Sequence, residues 1–513
     1  MRVINSVKNI TFGIYSQLIS TILAFITRTA FIYILGAEYV GINGLFTNVL
    51  SILSLANLGF TSAIIFSLYK PIEDNNYEEI KGYIKIYSKI YAFVGIFVFI
   101  VGILLIPFLN HIIKGDLKIS ENITIIYIMF LLDSSISYFC ICKHSLLVAN
   151  QQNYIIYRLH TYFTILSNIL QIVILLVSRQ YLLVLGIQLV LRLCENIIVS
   201  IRADKEFNFL KDKNIKSNLS KNKIKKLYKN VYSMFLYKIS GTVINSTDNI
   251  VISYFIGIIH VGIYSNYLLI ISTVRTFLSY IFSSLTASVG NLVVSKDEYK
   301  KKFIYDEIFF LSFWLYGVSS VMLYILLNDF IKIWIGKKYV LDQFTILILI
   351  VNFYTTGMQS ASTTYRDTTG LFSIGKYRPI IAAIINLCVS ILLAPKLKIA
   401  GVLLGTIISR LLVYFWFDPY IIYKHVFKKS AKEYFMIYIY YTLVVVFIGY
   451  ITVFATRLIN IQLLYINFFI KCIICFIIPN TLLLIKFRRD KHFTYLLEIM
   501  NLLFNKNKFI KHI

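Results

Sequence analysis

Charge is scarce in this chain. Only 15% of its 513 residues are Asp, Glu, Lys or Arg, and acids are the scarcer part, 24 against 51 basic residues for a net charge of +27. A soluble chain of this length carries about a quarter charged residues. The basic excess excludes a nucleic-acid-binding face, because it follows short connections between apolar segments. Catalytic signatures are missing too. There is no Walker A loop, no H-E-x-x-H, no G-x-S-x-G and no acidic cluster suited to a metal-bound sugar nucleotide. No cofactor is called for, and the chain reads as a carrier, not an enzyme. Cysteine is sparse as well: Cys140, Cys142, Cys194, Cys388, Cys472 and Cys475 all fall inside apolar segments. That placement excludes a disulfide framework or a zinc site, and Cys472-x-x-Cys475 reads as a pair of buried small hydrophobes.

What is present is apolar, 58% of the chain, in repeated runs of about 18 or more residues, each long enough to cross a ~30 Å hydrocarbon core as helix. The reading is an all-α polytopic membrane protein with 14 spans: 10–35, 41–68, 86–109, 122–149, 157–178, 181–201, 231–256, 261–289, 304–327, 341–368, 379–394, 400–421, 434–456 and 463–485. The start lacks a short apolar core followed by a small-residue cleavage site, so the first span is expected to stay in the membrane. With the N-terminus inside, inner loops and adjoining span ends collect 34 Lys and Arg, against 9 on the outer side and 8 within spans. That asymmetry places both termini in the cytoplasm. The outer loops are all short, the longest at 328–341, so no extracellular domain is expected.

The longest inner connection, 202–230, holds ten Lys and Arg in an Asn-rich stretch and reads as a hinge linker. An internal repeat agrees. A shift of 221 places Lys8-Asn9 on Lys229-Asn230, and Gly36-Ala-Glu-Tyr-Val-Gly-Ile42 on Gly257-Ile-Ile-His-Val-Gly-Ile263. Parallel repeats of six spans form a transporter architecture with a cavity between the halves. The expected organisation is an N-lobe over 1–202, a linker over 203–230, a C-lobe over 231–427, and two further helices with a basic tail over 428–513.

Eight basic residues lie inside spans: Arg28, Lys143, Arg192, Lys238, Arg275, Arg366, Arg410 and Lys471. Each costs about 2.5–3.5 kcal/mol at the bilayer centre on insertion scales, so several together point to a wet cavity and an anionic cargo. Helical spacing groups their neighbours. Gln17, Thr21, Ala24 and Arg28 share a stripe, as do Lys238, Gly241, Asn245 and Asp248. So do Asp133, Ser137, Cys140 and His144, and Asn352, Thr356, Gln359, Thr363 and Arg366. Position along the span makes Arg28, Arg192, Arg275 and Arg410 the candidate cargo-binding cations, with Lys238, Gln17, Asn245, Asn352 and Gln359 beside them. Lys143 and Arg366 lie near span ends and can snorkel, and Lys471 is read as an anchor or a partner for a local acid. Asp248, Asp133 and Glu195 are the embedded acids. Each is either half of a structural ion pair or an ion-coupling group. Lys238 is a candidate partner for Asp248.

The stretch Arg366-Asp-Thr-Thr-Gly-Leu-Phe-Ser-Ile-Gly-Lys-Tyr-Arg-Pro379, with Ile399-Ala-Gly-Val-Leu-Leu-Gly-Thr-Ile-Ile-Ser-Arg410 and Trp416-Phe-Asp-Pro419, resembles the bacterial polysaccharide-transporter (Wzx-type flippase) family. So do residues 36–46 and Asp248-Asn-Ile-Val-Ile-Ser with Val261-Gly-Ile-Tyr-Ser-Asn266. The resemblance runs over essentially the whole chain and implies two pseudo-symmetric six-helix lobes, like those of multidrug and toxin exporters, plus two C-terminal helices. It implies a flippase of the bacterial cytoplasmic membrane that moves an undecaprenyl-diphosphate-linked oligosaccharide to the outer leaflet for capsule, O-antigen or a related polymer. Polymerase or export machinery would be its partner. Basic residues on the first and eighth helices engage the diphosphate in relatives, and Arg28 and Arg275 match those helices by position. Two rivals stand beside this reading. A drug or cation antiporter of the same architecture fits poorly with eight embedded cations against three acids. A membrane glycan polymerase or ligase would need a sizeable outer loop.

Overall fold

Inside lipid the backbone must bond to itself, so long apolar runs without partner strands become helices. The computed structural model describes residues 2–54, 57–114, 119–139, 141–210, 212, 215, 217, 219–225, 227–228, 246–293, 298–369, 371, 374–375, 377–459 and 461–504. Among the described residues there is no strand. Ten helices among the described residues are long and apolar enough to cross a membrane, and an eleventh candidate there is a pair bent by 48°. Lys229, Asn230, Lys238, Gly241, Asn245 and Cys140 lie outside the described residues, as does most of the expected seventh span.

The chain divides into two compact units, Met1–Ser265 and Asn266–Ile513. The first contains α1 (Arg2–Ile34), α2 (Ala37–Leu53), α3 (Asn57–Glu73), α4 (Tyr77–Leu104), α5 (Ile123–Ser137), α6 (Ile141–Ala149), α7 (Asn153–Val177) and α8 (Tyr181–Glu206). Residues 246–255 are helical and belong to this unit. Polar residues start the helices: Asn76 accepts a hydrogen bond from the Glu79 N–H at 3.0 Å, and Asn122 from the Thr124 N–H at 2.8 Å. The helix α1 packs along α7, and α8 packs on α5 and α7.

The repeat is visible in the backbone. Gly36 and Gly257, equivalent under the shift of 221, both turn the chain at positive φ, 100° and 120°, into the next helix. The helices they introduce, α2 and α9 (Ile258–Val293), then cross at Gly41 and Gly262, which are equivalent too. Small residues here let two backbones touch.

The second unit is built on the 37-residue α10 (Glu298–Trp334). Around it stand α11 (Gln343–Met358), α12 (Ser360–Thr368), α13 (Arg378–Arg410), α14 (Phe417–Ile422), α15 (Lys432–Arg457), α16 (Leu464–Phe487) and α17 (Lys491–Phe504). The helix α13 is in fact a hairpin. Asn386 donates to Thr406 at 2.9 Å, yet 20 residues of straight helix would separate them by about 30 Å. The reversal is at Lys398, with φ 52° and ψ −134°, between the expected spans 379–394 and 400–421. Two π-helical turns, Leu411–Phe415 and Tyr423–Phe427, flank α14.

The last two spans are firmly joined to α10. Phe313 stacks on Tyr441 with centroids 4.1 Å apart, the Trp314 indole donates to Asn480 at 3.0 Å, and Lys471 pairs with Asp329 at 2.7 Å. The basic tail opens with α17, whose His492 bonds to the buried Glu307 at 2.6 Å.

Candidate functional site

The helix α1 carries Arg28 two turns from its C-terminal end, where a cavity of about 150 Å³ opens in the first unit. Polar side chains from four helices line it: Thr27 beside Arg28, Asn43 from α2, Asn168 and Gln171 from α7, and Gln188 from α8. Thr27 donates to Asn168, which in turn donates to the Thr164 carbonyl at 2.7 Å, and Gln171 donates to Ser167 at 2.8 Å. Asn168 and Gln171 are thereby tied to their own helix, α7. No carboxylate among the described residues pairs with Arg28. A half-buried arginine ringed by neutral amides and a hydroxyl suits an anion carrying hydroxyl groups.

An aromatic roof joins the cavity through Phe31, which lies in its wall. Tyr181 is fully buried and meets Phe31 and Tyr39 edge-to-face, at 5.9 and 5.1 Å between centroids. Glu121 ties the roof together. It accepts hydrogen bonds from the Tyr39 hydroxyl at 2.5 Å, the Ser120 hydroxyl at 2.9 Å and the Tyr181 N–H at 3.3 Å. Burial alone would raise the Glu121 pKa, but these donors, Tyr39 first, hold the carboxyl below its ordinary value.

The other candidate residues fall into several environments. Gln17, on the same stripe as Arg28, donates to Thr21 at 3.4 Å and is not among the residues lining the cavity. Arg192 pairs with Asp133 at 3.0 Å, and Glu195 with His160 at 2.9 Å, all within the first unit. Asp248 is buried in the helical stretch 246–255. In the second unit Arg275 acts electrostatically on Tyr316, and Arg410 on Tyr438. Asn352 and Gln359 lie in and at the end of α11, each with a buried polar atom that has no hydrogen-bond partner among the described residues. Lys238 and Asn245 lie outside those residues.

The end-of-span cations are paired. Lys143 bonds to Asp204 at 2.8 Å. Arg366 does not snorkel: it is buried and bonds to Asp418 at 3.0 Å, while Arg378 takes the other Asp418 oxygen at 2.5 Å. Asp204, Asp329 and Asp418 were not counted among the embedded acids in the sequence, so the apparent surplus of buried cations is smaller than it looks there. Asn43, Asn168, Gln171 and Gln188 were likewise missed as cavity residues. Their signal is a set of amides in helices that have apolar runs around them.

The sequence pattern of the family described as "Polysaccharide biosynthesis protein" matches residues 6–288, more than half of the chain. The chain belongs to that family. No curated protein matches it by sequence. Among solved structures it is similar to the lipid II flippase MurJ in an inward closed conformation, at 19% identity and TM-score 0.64 over 93% of this chain and 99% of that one. It is also similar to an inward-facing multidrug resistance MATE family transporter of the MOP superfamily, at 15% identity and TM-score 0.60 over 77% and 91%. A Vibrio cholerae MATE transporter matches at 11% identity and TM-score 0.56 over 80% and 94%. At these identities the likeness concerns the fold. This member of the polysaccharide biosynthesis protein family is a polytopic helical membrane protein with a MurJ- and MATE-like fold.

Proposed function

We propose that the chain flips an undecaprenyl-diphosphate-linked oligosaccharide repeat unit from the inner to the outer leaflet of a bacterial cytoplasmic membrane, for surface polysaccharide synthesis. Both termini face the cytoplasm in this reading, as the basic residues of the inner loops require. The observation that carries it is the Arg28 cavity, where a guanidinium without a carboxylate partner stands among amides and a hydroxyl. The fork of Arg28 pairs with a phosphate bidentately, and amides suit sugar hydroxyls. Arg275, on the eighth span, is the second diphosphate ligand. Arg192, Arg410, Lys238, Asn245, Asn352, Gln359 and Gln17 extend the polar path.

Transport proceeds by alternating access, with the 203–230 linker joining lobes 1–202 and 231–427 while the prenyl tail stays in lipid. Ion coupling falls to the embedded acids Asp248, Asp133 and Glu195. The His160–Glu195 contact is the best proton site of these, because an imidazole and a carboxylate 2.9 Å apart can share a proton. A polymerase or export partner receives the flipped unit. The test is the double variant R28Q/R275Q in the native cell at normal protein level. Lipid-linked repeat units trapped on the cytoplasmic leaflet are expected, and unchanged polymer output overturns the reading.

A further inference from the structure

A second cavity, of about 510 Å³, lies on the second unit where the chain leaves the membrane after α14 and re-enters it as α15. Its mouth is basic and its wall apolar. Lys424, Lys429 and Lys432 surround the opening, while Phe435, Met436 and Ile439 line the side along the first turns of α15. Met436 and Ile439 are more than half exposed, so the wall faces lipid, and it runs about 10 Å from Lys432 to Ile439 at 1.5 Å per residue.

The nearby acids are engaged elsewhere. Glu433 pairs with Lys302 at 3.1 Å, and Glu298 pairs with Lys428 at 2.7 Å while also feeling the charge of Lys429. No carboxylate pairs directly with Lys424, Lys429 or Lys432 among the described residues. Lys424 rests against Tyr420, its ammonium 5.6 Å from the ring centroid and 3.4 Å from the hydroxyl. The turn is set by Lys428, at φ 52°, which closes the π-helical segment and aims Lys429 and Ser430 toward the opening.

We infer that this cavity is a binding site for an anionic glycerophospholipid, its phosphate held by Lys424, Lys429 and Lys432 and one acyl chain laid along Phe435, Met436 and Ile439. Basic pockets between membrane helices at the water boundary recognise such headgroups, and each lysine near the surface adds to the attraction. The site differs in kind from the Arg28 cavity. It has compact ammonium groups in place of a planar fork, and it opens sideways to lipid rather than inside a unit. It stands whatever cargo the protein moves; only its assignment to the inner leaflet rests on the orientation proposed above.

The test uses the full chain in nanodiscs of equal phosphatidylglycerol and phosphatidylethanolamine, with retained lipid read by native mass spectrometry. Wild type is expected to retain phosphatidylglycerol selectively. The triple variant K424Q/K429Q/K432Q should lower that retention at least about tenfold, and K429Q alone roughly threefold. Because these lysines are exposed, the variants should fold, as an unchanged Tm in detergent would verify. A control triple, K486Q/R488Q/R489Q, removes an equally exposed basic cluster at the end of α16 and should leave retention within about twofold of wild type. Equal retention of the two lipids, an unaffected lysine triple, or an equal loss in the control triple overturns the proposal. Displacement of the phospholipid by added undecaprenyl diphosphate also overturns it, since the cavity would then belong to the cargo.

Discussion

Gly41 and Gly262 each face the carbonyl that opens the other's helix: a Cβ on Gly41 would stand 2.2 Å from the Ile258 oxygen, and one on Gly262 would stand 2.3 Å from the Ala37 oxygen. All four residues are paired by the 221-residue shift, so the contact is a local two-fold one. Gly44 and Ser265, also equivalent, meet on the same line, a Cβ on Gly44 lying 2.8 Å from the Ser265 hydroxyl. Backbone cannot yield as a flexible side chain can. G41A or G262A is therefore expected to push the two helix starts apart while leaving each helix intact. Cross-linking between cysteines introduced by Ala37→Cys and Ile258→Cys, in a background without the native cysteines, should fall several-fold in either variant. An unchanged yield would show that the close approach is not the resting arrangement.

Glu121 holds the aromatic roof that joins the Arg28 cavity, and its effect should depend on pH. Its folded carboxyl ionises at lower pH than a free glutamate, so its contribution to stability is complete above the free value and is lost as pH falls through the folded one. E121Q keeps the shape and removes the charge, at a cost of about 1–2 kcal/mol. Thermal unfolding in detergent should show a Tm difference between wild type and E121Q at neutral pH that closes below the ordinary glutamate range. A gap independent of pH would assign the effect to packing.

Much of the fold was legible because hydropathy and helix length are local properties. The long apolar helices among the described residues and the paired glycine turns of the repeat follow from runs and offsets along one chain. Partner choice across helices was not legible, since a stripe of polar residues fixes a face but not what stands opposite. Lys471 finds Asp329 from 142 positions away, and Arg366 finds Asp418 from 52. Arg28 could be read as embedded, but its amide surroundings come from α2, α7 and α8, where Asn43, Asn168 and Gln188 look like ordinary polar interruptions. The hairpin at Lys398 was readable from Pro395 and the two lysines between apolar runs. The break at Gln359, which divides the stripe from Asn352 to Arg366, was not.

The ion pairs at the span ends should differ in weight. Asp418 is shared by two buried arginines, Arg366 and Arg378, so D418N leaves two buried cations poorly compensated and should cost about 3–5 kcal/mol. Lys143 keeps a third of its side chain in contact with solvent, so D204N should cost only about 1 kcal/mol. Folded yield and Tm in detergent check both. Equal losses would mean that burial does not set the scale here.

Arg28 can be tested for geometry as well as for charge. R28K keeps the positive charge but replaces a planar fork with a point donor. If a phosphate is gripped bidentately, R28K should lower flipping roughly tenfold, and R28Q about a hundredfold or more. Export of polymer by cells carrying each variant at matched protein level is the readout. Full activity of R28K would show that charge alone is needed at this position.

Lys398 offers a prediction of the opposite sign. Its φ of 52° and ψ of −134° lie where an L side chain is strained, in a reversal that Pro395 and the tight packing of Asn386 and Ser390 against Thr406 and Val402 hold in place. Strain of this kind costs about 1–3 kcal/mol, whereas glycine adopts such angles freely and loses only about 0.5–1 kcal/mol through its more flexible unfolded chain. K398G should therefore raise stability by about 1 kcal/mol despite removing a side chain. K398A keeps the Cβ and should gain nothing, which separates backbone relief from loss of the lysine charge. Tm measured for the two variants in the same detergent decides it: a rise confined to K398G supports a forced reversal, while equal shifts would place the effect in the charge.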